Sequence, residues 1–405
     1  MKRILILLFL TLLSCTGYAN VVLKGHVISL LTREGIADAE VRVEGANASV
    51  ITNEDGYFTL KLDELPTRLL VSALGYVNSA LDCGKVQDLQ NINVWLQADS
   101  YVLNNVMVYS AEDIVMKALE KVEQNFSLQT ERLSCFYRET VRKQNRYVSL
   151  SEAVMDIYKT GYDHDINRDK VLIVKGRSLI SQRAKDTLSV RVMGGPHEAV
   201  LIDLVKNREI LFYEDDLTAY RYEMEGQKQI NGRLQFVINF HPVEVREYPL
   251  YSGTIYIDVE RLSFTRIESS MDVSDQGKAV RSMLIKKPRG LRFKPKALNT
   301  TVNYHYDGQC SRISYIRNVY LFNCDWKRRL FSTGYRAVSE MVVTDYEPTE
   351  MVRGWKNTFG RYDVLSSEIA DFEDEEFWND YNIIEPSESL EHAVKRLKKR
   401  AAVQE

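Results

Sequence analysis

The sequence is poor in the residue patterns that build common catalytic and metal sites. Its six histidines and five cysteines are scattered over 405 residues, with no H-E-x-x-H and no C-x-x-C motif. A zinc site is therefore not expected, and a dense disulfide framework is excluded. The chain also has no G-x-S-x-G motif and no glycine-rich phosphate loop, so neither a serine hydrolase nor a nucleotide-binding protein is expected. No cofactor is predicted.

The sequence also has no large excess of positive or negative charge, and it has few long apolar runs. The 53 basic and 56 acidic residues give a net charge of -3. No basic surplus exists to neutralise phosphates, so nucleic acid is not expected as a partner. Beyond the N-terminus no apolar run reaches the roughly 20 residues of a membrane-spanning helix, which predicts a mature chain without a transmembrane span. The 23 tyrosines recur in β-branched segments that are typical of strands.

The N-terminus has the three-part layout of a secretory signal peptide. A basic start, Met1 to Arg3, precedes an apolar run from Ile4 to Leu13, and Ser14 to Ala19 is small and weakly polar. The apolar run is too short to span a bilayer. We therefore expect residues 1–19 to be a signal peptide and the protein to be exported to the periplasm or the outer membrane.

Two processing sites are compatible with this segment. Gly17 and Ala19 are the small residues that a signal peptidase requires, which predicts cleavage after Ala19. Alternatively, Leu12-Leu13-Ser14-Cys15 resembles a bacterial lipobox. Cys15 is then a candidate lipidation site that anchors the chain to a membrane. The sequence leaves both alternatives open.

Residues 20–100 have an all-β pattern. Short alternating segments are separated by turn signals, and Asp55-Gly56 is a strong hairpin signal between two of them. The spacing predicts a sandwich of about seven strands. The stretches KGHV, GIADAEVRV, TNEDGYFTL and LLVSALGY follow in the order found in carboxypeptidase-regulatory-like domains of Bacteroidetes exported proteins. This resemblance implies an Ig- or transthyretin-like sandwich without catalytic residues, so no peptidase activity is inherited.

A second, larger domain is predicted after a connection at residues 101–127. The connection comprises a linking strand and an amphipathic helix from Ala111 to Phe126, which Ser110 can cap. Long strand patterns over residues 128–350, including Ile210–Tyr213, predict a curved antiparallel sheet packed on a few helices. Cys310 and Cys324 either bridge a hairpin in this sheet or are small buried thiols. The expected fold class is mainly β.

The segments at 253–258 and 264–268 are the most informative pair of this sheet. They resemble a hairpin of the LolA-like class, although the arginine and glutamate of the second strand are closer together than in that pattern. The resemblance implies an apolar concave face that can hold a lipid or acyl chain. Strand alternation places Ile255 and Ile257 on one face, so both are candidate ligand-facing residues.

Residues 351–405 form a predicted C-terminal tail. The stretch FWNDYNIIEP at 377–386 resembles the tail of Bacteroidetes exported proteins of this layout and predicts an aromatic clamp on the sheet. A basic helix with Leu390, Ala393, Val394 and Leu397 follows it.

The sequence thus predicts a non-enzymatic exported envelope protein. It is expected to have a binding or adaptor role at the periplasmic face of the outer membrane, with a lipid or acyl chain held on the curved sheet. One alternative is a pure protein-interaction scaffold for an outer-membrane protein. A third is a hydrolase that uses carboxylates such as Glu152, Asp258 and Glu268, although their spacing matches no catalytic motif.

Overall fold

The computed structural model describes residues 21–99, 110–181, 190–230, 232–326, 332–350, 358–371, 378 and 381–401. The predicted signal peptide with Cys15, the linking strand before Ser110 and the acidic start of the C-terminal stretch lie outside the described residues. Within those residues, no helix combines the length and the apolar character needed to cross a membrane.

The first domain is a sandwich of seven strands, as predicted. The strands are β1 (Val21–Ser29), β2 (Glu40–Val43), β3 (Ser49–Ile51), β4 (Tyr57–Leu62), β5 (Arg68–Ser72), β6 (Ser79–Asp82) and β7 (Ile92–Leu96), with a 3-10 turn at Cys83–Lys85. They form two sheets, in the orders β4-β1-β7 and β3-β2-β5-β6. Gly56 adopts φ +85° before β4, and a Cβ there would lie 2.7 Å from the carbonyl oxygen of Val27. Only glycine therefore suits this turn.

The second domain is built on one large sheet. Its strands are β8 (Glu131–Lys143), β9 (Arg146–Lys159), β10 (Lys170–Ile180), β12 (Tyr220–Ile230), β13 (Arg233–Pro242), β14 (Tyr251–Asp258), β15 (Phe264–Met271), β17 (Leu291–Tyr306), β18 (Ser311–Trp326), β19 (Thr333–Pro348) and β20 (Ala370–Asp371). Their order is β12-β13-β14-β15-β17-β18-β19-β8-β9-β10-β20. All pairings are antiparallel except that of β20 with β10. A small separate pair joins β11 (Arg191–Val192) and β16 (Leu284–Lys286).

The described helices are short and mostly lie beside this sheet. They are α1 (Ala111–Glu120), α2 (Val122–Asn125), α3 (Pro196–Leu201), α4 (Gln276–Met283), α5 (Leu365–Glu368) and α6 (Glu388–Ala401), with 3-10 turns at Ile166–Arg168 and Glu214–Ala219. Ser110 caps α1 in a reciprocal capping box with Asp113. The predicted single helix is interrupted at Lys121, where α1 ends and α2 begins.

The two faces of the large sheet have different neighbours. The inner face packs against α1, α2 and the segment around α3, with Ile114, Val115 and Val205 in the shared core. The outer face packs against the sandwich and the C-terminal residues, where Phe136 and Val342 of the sheet meet Ile51, Trp378, Ile383 and Ile384. The sandwich and the sheet thus share a hydrophobic interface.

One sequence-based prediction in this domain was wrong, and one open alternative was decided. Ile210–Tyr213 is a turn rather than a strand, because this segment lies over the sheet and its Leu211 and Phe212 fill the core beneath it. Cys310 and Cys324 do not bridge a hairpin: both are free thiols, and almost the whole of β18 separates them. At about 3.3 Å per residue the separation exceeds 40 Å, far beyond disulfide reach.

Candidate functional site

Residues 190–211, here called the roof, lie over the inner face of the large sheet. Ala199, Val200 and Leu204 of the roof belong to the core that also includes the inner-face side chains. Gly195 is the N-cap residue of α3 and has φ +92°, and Pro196 is the first residue of the helix, where its missing N–H leaves no unsatisfied donor. This local sequence turns the chain back across the sheet.

A cavity of about 290 Å³ lies between the roof and the inner face. Ile202, Leu204 and Ile210 line it from the roof, and Met271 and Leu298 line it from the sheet. Polar groups of the sheet lining are the side chains of Tyr251, Ser269, Thr300 and Tyr320, and Glu198 and Arg361 lie at the roof side. Its volume is at the lower end of the roughly 300–1,000 Å³ range of small-molecule sites.

A buried cluster of four charges fastens the roof to the sheet. Lys159 Nζ lies 2.7 Å from Asp203 Oδ2 and 3.3 Å from Asp169 Oδ2, and Lys206 Nζ lies 2.7 Å from Asp169 Oδ1. The hydroxyls of Tyr162 and Tyr304 donate to Asp203 at 2.8 and 2.9 Å. The two positive and two negative charges compensate one another.

The pKa values of the two lysines in this cluster are shifted in opposite directions. Burial and the ammonium of Lys159 lower the pKa of Lys206 to about 8. Burial acts against the charged form of Lys159 as well, but Asp203 and Asp169 outweigh it and raise its pKa. Each charge has a partner within hydrogen-bonding distance, so the cluster serves to hold the roof in place rather than to react.

A row of polar residues crosses the inner face beneath the roof. These residues face one another strand by strand from β14 to β10. The inner polar row consists of Gly253, Ser269, Thr300, Asn318, Ser339, Glu139, Ser151 and Ser178. Thr300 Oγ1 donates to Asn318 Oδ1 at 2.7 Å. The row separates the main core from a second cluster that contains Leu298 and Phe322.

Glu139 is the acidic member of this row. Burial raises its pKa to about 7, although the hydroxyl of Tyr137, which donates to its Oε2 at 3.2 Å, acts in the opposite direction. Ser151 faces it on β9 and is fully buried, and its hydroxyl also acts to lower the pKa of Glu139 without outweighing burial. The inner face therefore holds a carboxylate whose charge changes near neutral pH.

The outer face carries a row of charged residues. Each of them is adjacent in sequence to a member of the inner polar row. Arg317, Glu340, Arg138, Glu152 and Arg177 face one another across β18, β19, β8, β9 and β10. The charges alternate in sign, so each carboxylate lies between two guanidinium groups. We call these five residues the outer charge ladder.

Glu152 is the most buried carboxylate of the ladder, with 2% of its side chain exposed. It accepts from Arg138 Nε at 2.8 Å, from Arg177 Nε at 2.9 Å and from the Trp378 indole at 3.3 Å. Burial acts to raise the pKa of Glu152, but the two guanidinium groups outweigh burial and lower it. Arg138 also donates to the carbonyl oxygen of Ile384 at 2.6 Å, which ties the ladder to the C-terminal residues.

The C-terminal residues 378 and 381–401, here called the tail, also contact the sandwich. Asn382 pairs with both backbone groups of Lys61, accepting from its N–H at 2.7 Å and donating to its carbonyl oxygen at 3.1 Å. The Lys61 ammonium donates to the carbonyl of Trp378. Asp55 of the sandwich accepts from the backbone N–H of Glu388 at 2.8 Å and so caps α6. The tail thus joins both domains.

The predicted ligand-facing residues Ile255 and Ile257 do not line the cavity. Ile255 and Ile257 share the inner face, as alternation requires, but both are 0% exposed and belong to the main core. Phe212 from beyond the roof and Phe264 from β15 pack in the same core, with ring centroids 5.3 Å apart. The cavity lies further along the sheet, at Ser269, Leu298 and Tyr320.

The three carboxylates considered for a hydrolase are engaged separately. Glu152 is held in the outer charge ladder, and Glu268 forms an ion pair with Arg266 at 2.6 Å. Asp258 pairs with Arg233 and accepts from two backbone N–H groups of the turn that follows β14. Among the described residues, no group of three or more His, Cys, Asp or Glu side chains is placed to hold a metal ion.

Comparisons with known proteins bear on the first domain. Residues 23–108 match the family model of the CarboxypepD_reg-like domain. No curated protein matches the chain. A crystal structure of a DUF1329 family protein from Desulfovibrio piger is similar at 11% identity, covering 60% of this chain and 93% of that one with a TM-score of 0.26. MucB in complex with MucA(peri) is similar at 13% identity, covering 59% and 99% with a TM-score of 0.17.

Both TM-scores are too low for either structure to support an argument about this chain. The LolA-like second domain and the Bacteroidetes origin therefore stay predictions. The family match confirms the resemblance that the N-terminal strands and turns predicted. Over residues 23–108, the first domain is similar to CarboxypepD_reg-like domains.

Proposed function

We propose that this protein is a non-enzymatic envelope protein whose large sheet binds a small amphiphilic ligand, such as an acyl chain with a polar end. The cavity of about 290 Å³ between the roof and the inner face carries the proposal. Its lining combines apolar side chains with hydroxyl, amide and charged groups, so both ends of an amphiphile find suitable contacts. The separate ion pairs of Glu152, Asp258 and Glu268 favour binding over hydrolysis.

Blocking the cavity tests this function. Ser282 of α4 lines the cavity, so Ser282→Trp is expected to fill part of it. The neutral probe N-phenyl-1-naphthylamine, which fluoresces in apolar surroundings, is expected to bind the wild type and to be displaced by decan-1-ol. The variant is expected to bind the probe at least about tenfold more weakly, a change of about 1.4 kcal/mol.

The matched control is Ser274→Trp, which adds the same side chain at an exposed position near the same helix. It is expected to bind the probe as the wild type does. Equal binding by Ser282→Trp, or no binding by the wild type, contradicts the proposal. The second outcome favours the scaffold alternative, for which the sandwich offers the exposed apolar residues Leu31, 78% exposed, and Trp95, 41% exposed.

Export to the envelope is part of the proposal and is tested at the N-terminus. We expect the mature chain to begin at Asn20 or at a lipid-modified Cys15, because the first residues have the layout of a signal peptide. Mass spectrometry of the N-terminus, with palmitate labelling of the wild type and of Cys15→Ser, distinguishes these two forms. An intact Met1 on cytoplasmic protein would show that the chain is not exported.

A further inference from the structure

The sheet side of the cavity presents hydroxyl groups that the protein itself leaves without partners. Tyr251, Ser269 and Tyr320 line the cavity from β14, β15 and β18. Among the described residues, no side-chain hydroxyl of these three has a hydrogen-bond partner, whereas the Thr300 hydroxyl beside them donates to Asn318. Unpaired hydroxyls that face a space of this size are available to a ligand.

Apolar groups lie next to these hydroxyls on two sides. Met271 and Leu298 adjoin them on the sheet, and Ile202 lies opposite on the roof. An apolar segment of a ligand can therefore lie against these three residues while its polar end reaches the hydroxyls. Burial of that segment supplies most of the binding energy, and the hydroxyls fix its orientation.

The charges around the cavity are unfavourable to an anion. Glu198 lines the space with 12% of its side chain exposed, and its Oε1 lies 3.1 Å from Arg361 Nε but outside hydrogen-bond geometry. Burial raises the pKa of this carboxyl group despite the nearby guanidinium. Burial also raises the pKa of Tyr251 to about 12, so this phenol stays a neutral donor. Glu209 adds another carboxylate to the lining, and the lining cation Arg361 is already ion-paired with Glu198, so an anionic ligand would lose its water without gaining a dedicated cation.

We infer that the ligand of this cavity presents a neutral hydrogen-bonding group, an ester, amide or hydroxyl, to Tyr251, Ser269 and Tyr320, rather than a carboxylate or phosphate. The inference rests on the proposed function and specifies the ligand of the same site. The apolar part of the ligand contacts Ile202, Met271 and Leu298. The site therefore selects neutral amphiphiles over anionic ones of the same chain length.

The test compares three ligands with one ten-carbon chain and different ends. The displacement of N-phenyl-1-naphthylamine from the full-length protein by decan-1-ol, decanamide and decanoate is measured at about pH 8, where decanoate is ionised. We expect the alcohol and the amide to bind about tenfold or more tightly than decanoate. Glu198→Gln is expected to narrow this difference in affinity, because it removes one of the two carboxylates that line the space and leaves Arg361 without that partner.

A conservative variant tests the hydroxyls. Tyr320→Phe is expected to weaken decanamide binding about 2- to 12-fold, the range of one neutral hydrogen bond, and to leave binding of the probe unchanged. Tyr213→Phe, at a tyrosine 46% exposed and outside the cavity lining, is the matched control and is expected to have no effect.

The outcomes separate this inference from the proposed function. If decanoate binds as tightly as the neutral ligands, or if Tyr320→Phe leaves decanamide binding unchanged, the inference is wrong while an amphiphile site remains. If none of the three ligands displaces the probe, or if Ser282→Trp binds all of them as the wild type does, the proposed function itself fails.

Discussion

Replacing Glu152 by alanine is expected to lower the free energy of unfolding by about 3–5 kcal/mol, because the change removes the carboxylate to which two buried guanidinium groups donate. Arg138 is 4% exposed, and Glu152 is its hydrogen-bonded partner in the outer charge ladder. Arg177 and the indole of Trp378 lose the same acceptor. Urea denaturation followed by far-UV circular dichroism measures the change at neutral pH.

The control for this prediction is an ion pair on the same sheet that is open to solvent. Glu260 lies 3.1 Å from Arg233 and is 82% exposed, so Glu260→Ala is expected to change stability by less than about 1 kcal/mol. A Glu152→Ala variant within 1 kcal/mol of the wild type would mean that water reaches the ladder. Because Arg138 also holds Ile384, we expect faster proteolysis of the tail in Glu152→Ala.

The sandwich could be predicted from the sequence because its signals are local. A turn such as Asn53–Gly56 is encoded in four neighbouring residues, and the positive φ of Gly56 is what an Asp-Gly pair predicts. The same holds for the start of α1, where Ser110 and Asp113 form the capping box within one turn. Strand alternation also placed Ile255 and Ile257 correctly on one face of β14.

The candidate site could not be predicted, because it depends on contacts between distant parts of the chain. The alternation of side chains along a strand predicts which residues share a face. It does not predict whether that face contacts the roof directly or is separated from it by a cavity. The strand predicted at Ile210–Tyr213, where the roof ends, is a turn, since a short apolar run has no periodicity that distinguishes a strand from a packed turn. Ile255 lies in the same core as Phe212, which is 43 residues earlier in the chain.

One signal for both polar rows was present in the sequence. Adjacent polar residues interrupt the apolar alternation in the middle of several strands. These pairs are Arg138-Glu139, Ser151-Glu152, Arg177-Ser178, Arg317-Asn318 and Ser339-Glu340. One member of each pair falls on the inner polar row and the other on the outer charge ladder. Their alignment needs the register between β19 and β8, which joins residues about 200 positions apart and is not encoded locally.

The inner polar row leads to a second prediction with a large effect, on the pH dependence of stability. The pKa of Glu139 is about 7 in the folded protein, above its ordinary value of 4.5. Between these two pH values the folded state retains a proton that the unfolded state releases. The contribution of Glu139 to stability therefore falls as the pH rises from about 4.5 to 7, and the loss is complete above about pH 7.

Glu139→Gln removes this pH dependence, because glutamine stays neutral. At about pH 8 the variant is expected to be more stable than the wild type by up to about 3 kcal/mol, and at about pH 4 the two are expected to differ little. Urea denaturation at several pH values measures the difference. A wild type and variant that differ equally at both pH values would show that Glu139 has the same pKa in the folded and unfolded states, which contradicts the prediction.

Whereas Glu139→Gln removes the pH dependence of stability, replacing the neighbouring Tyr137 by phenylalanine is expected to increase it. Tyr137 donates to Glu139 Oε2 at 3.2 Å and so favours the ionised carboxylate. Tyr137→Phe removes this donor, so the pKa of Glu139 is expected to rise further and the loss of stability with pH to become larger. In the double variant with Glu139→Gln, the added pH dependence is expected to disappear, which assigns it to the contact between these two side chains rather than to repacking of the core.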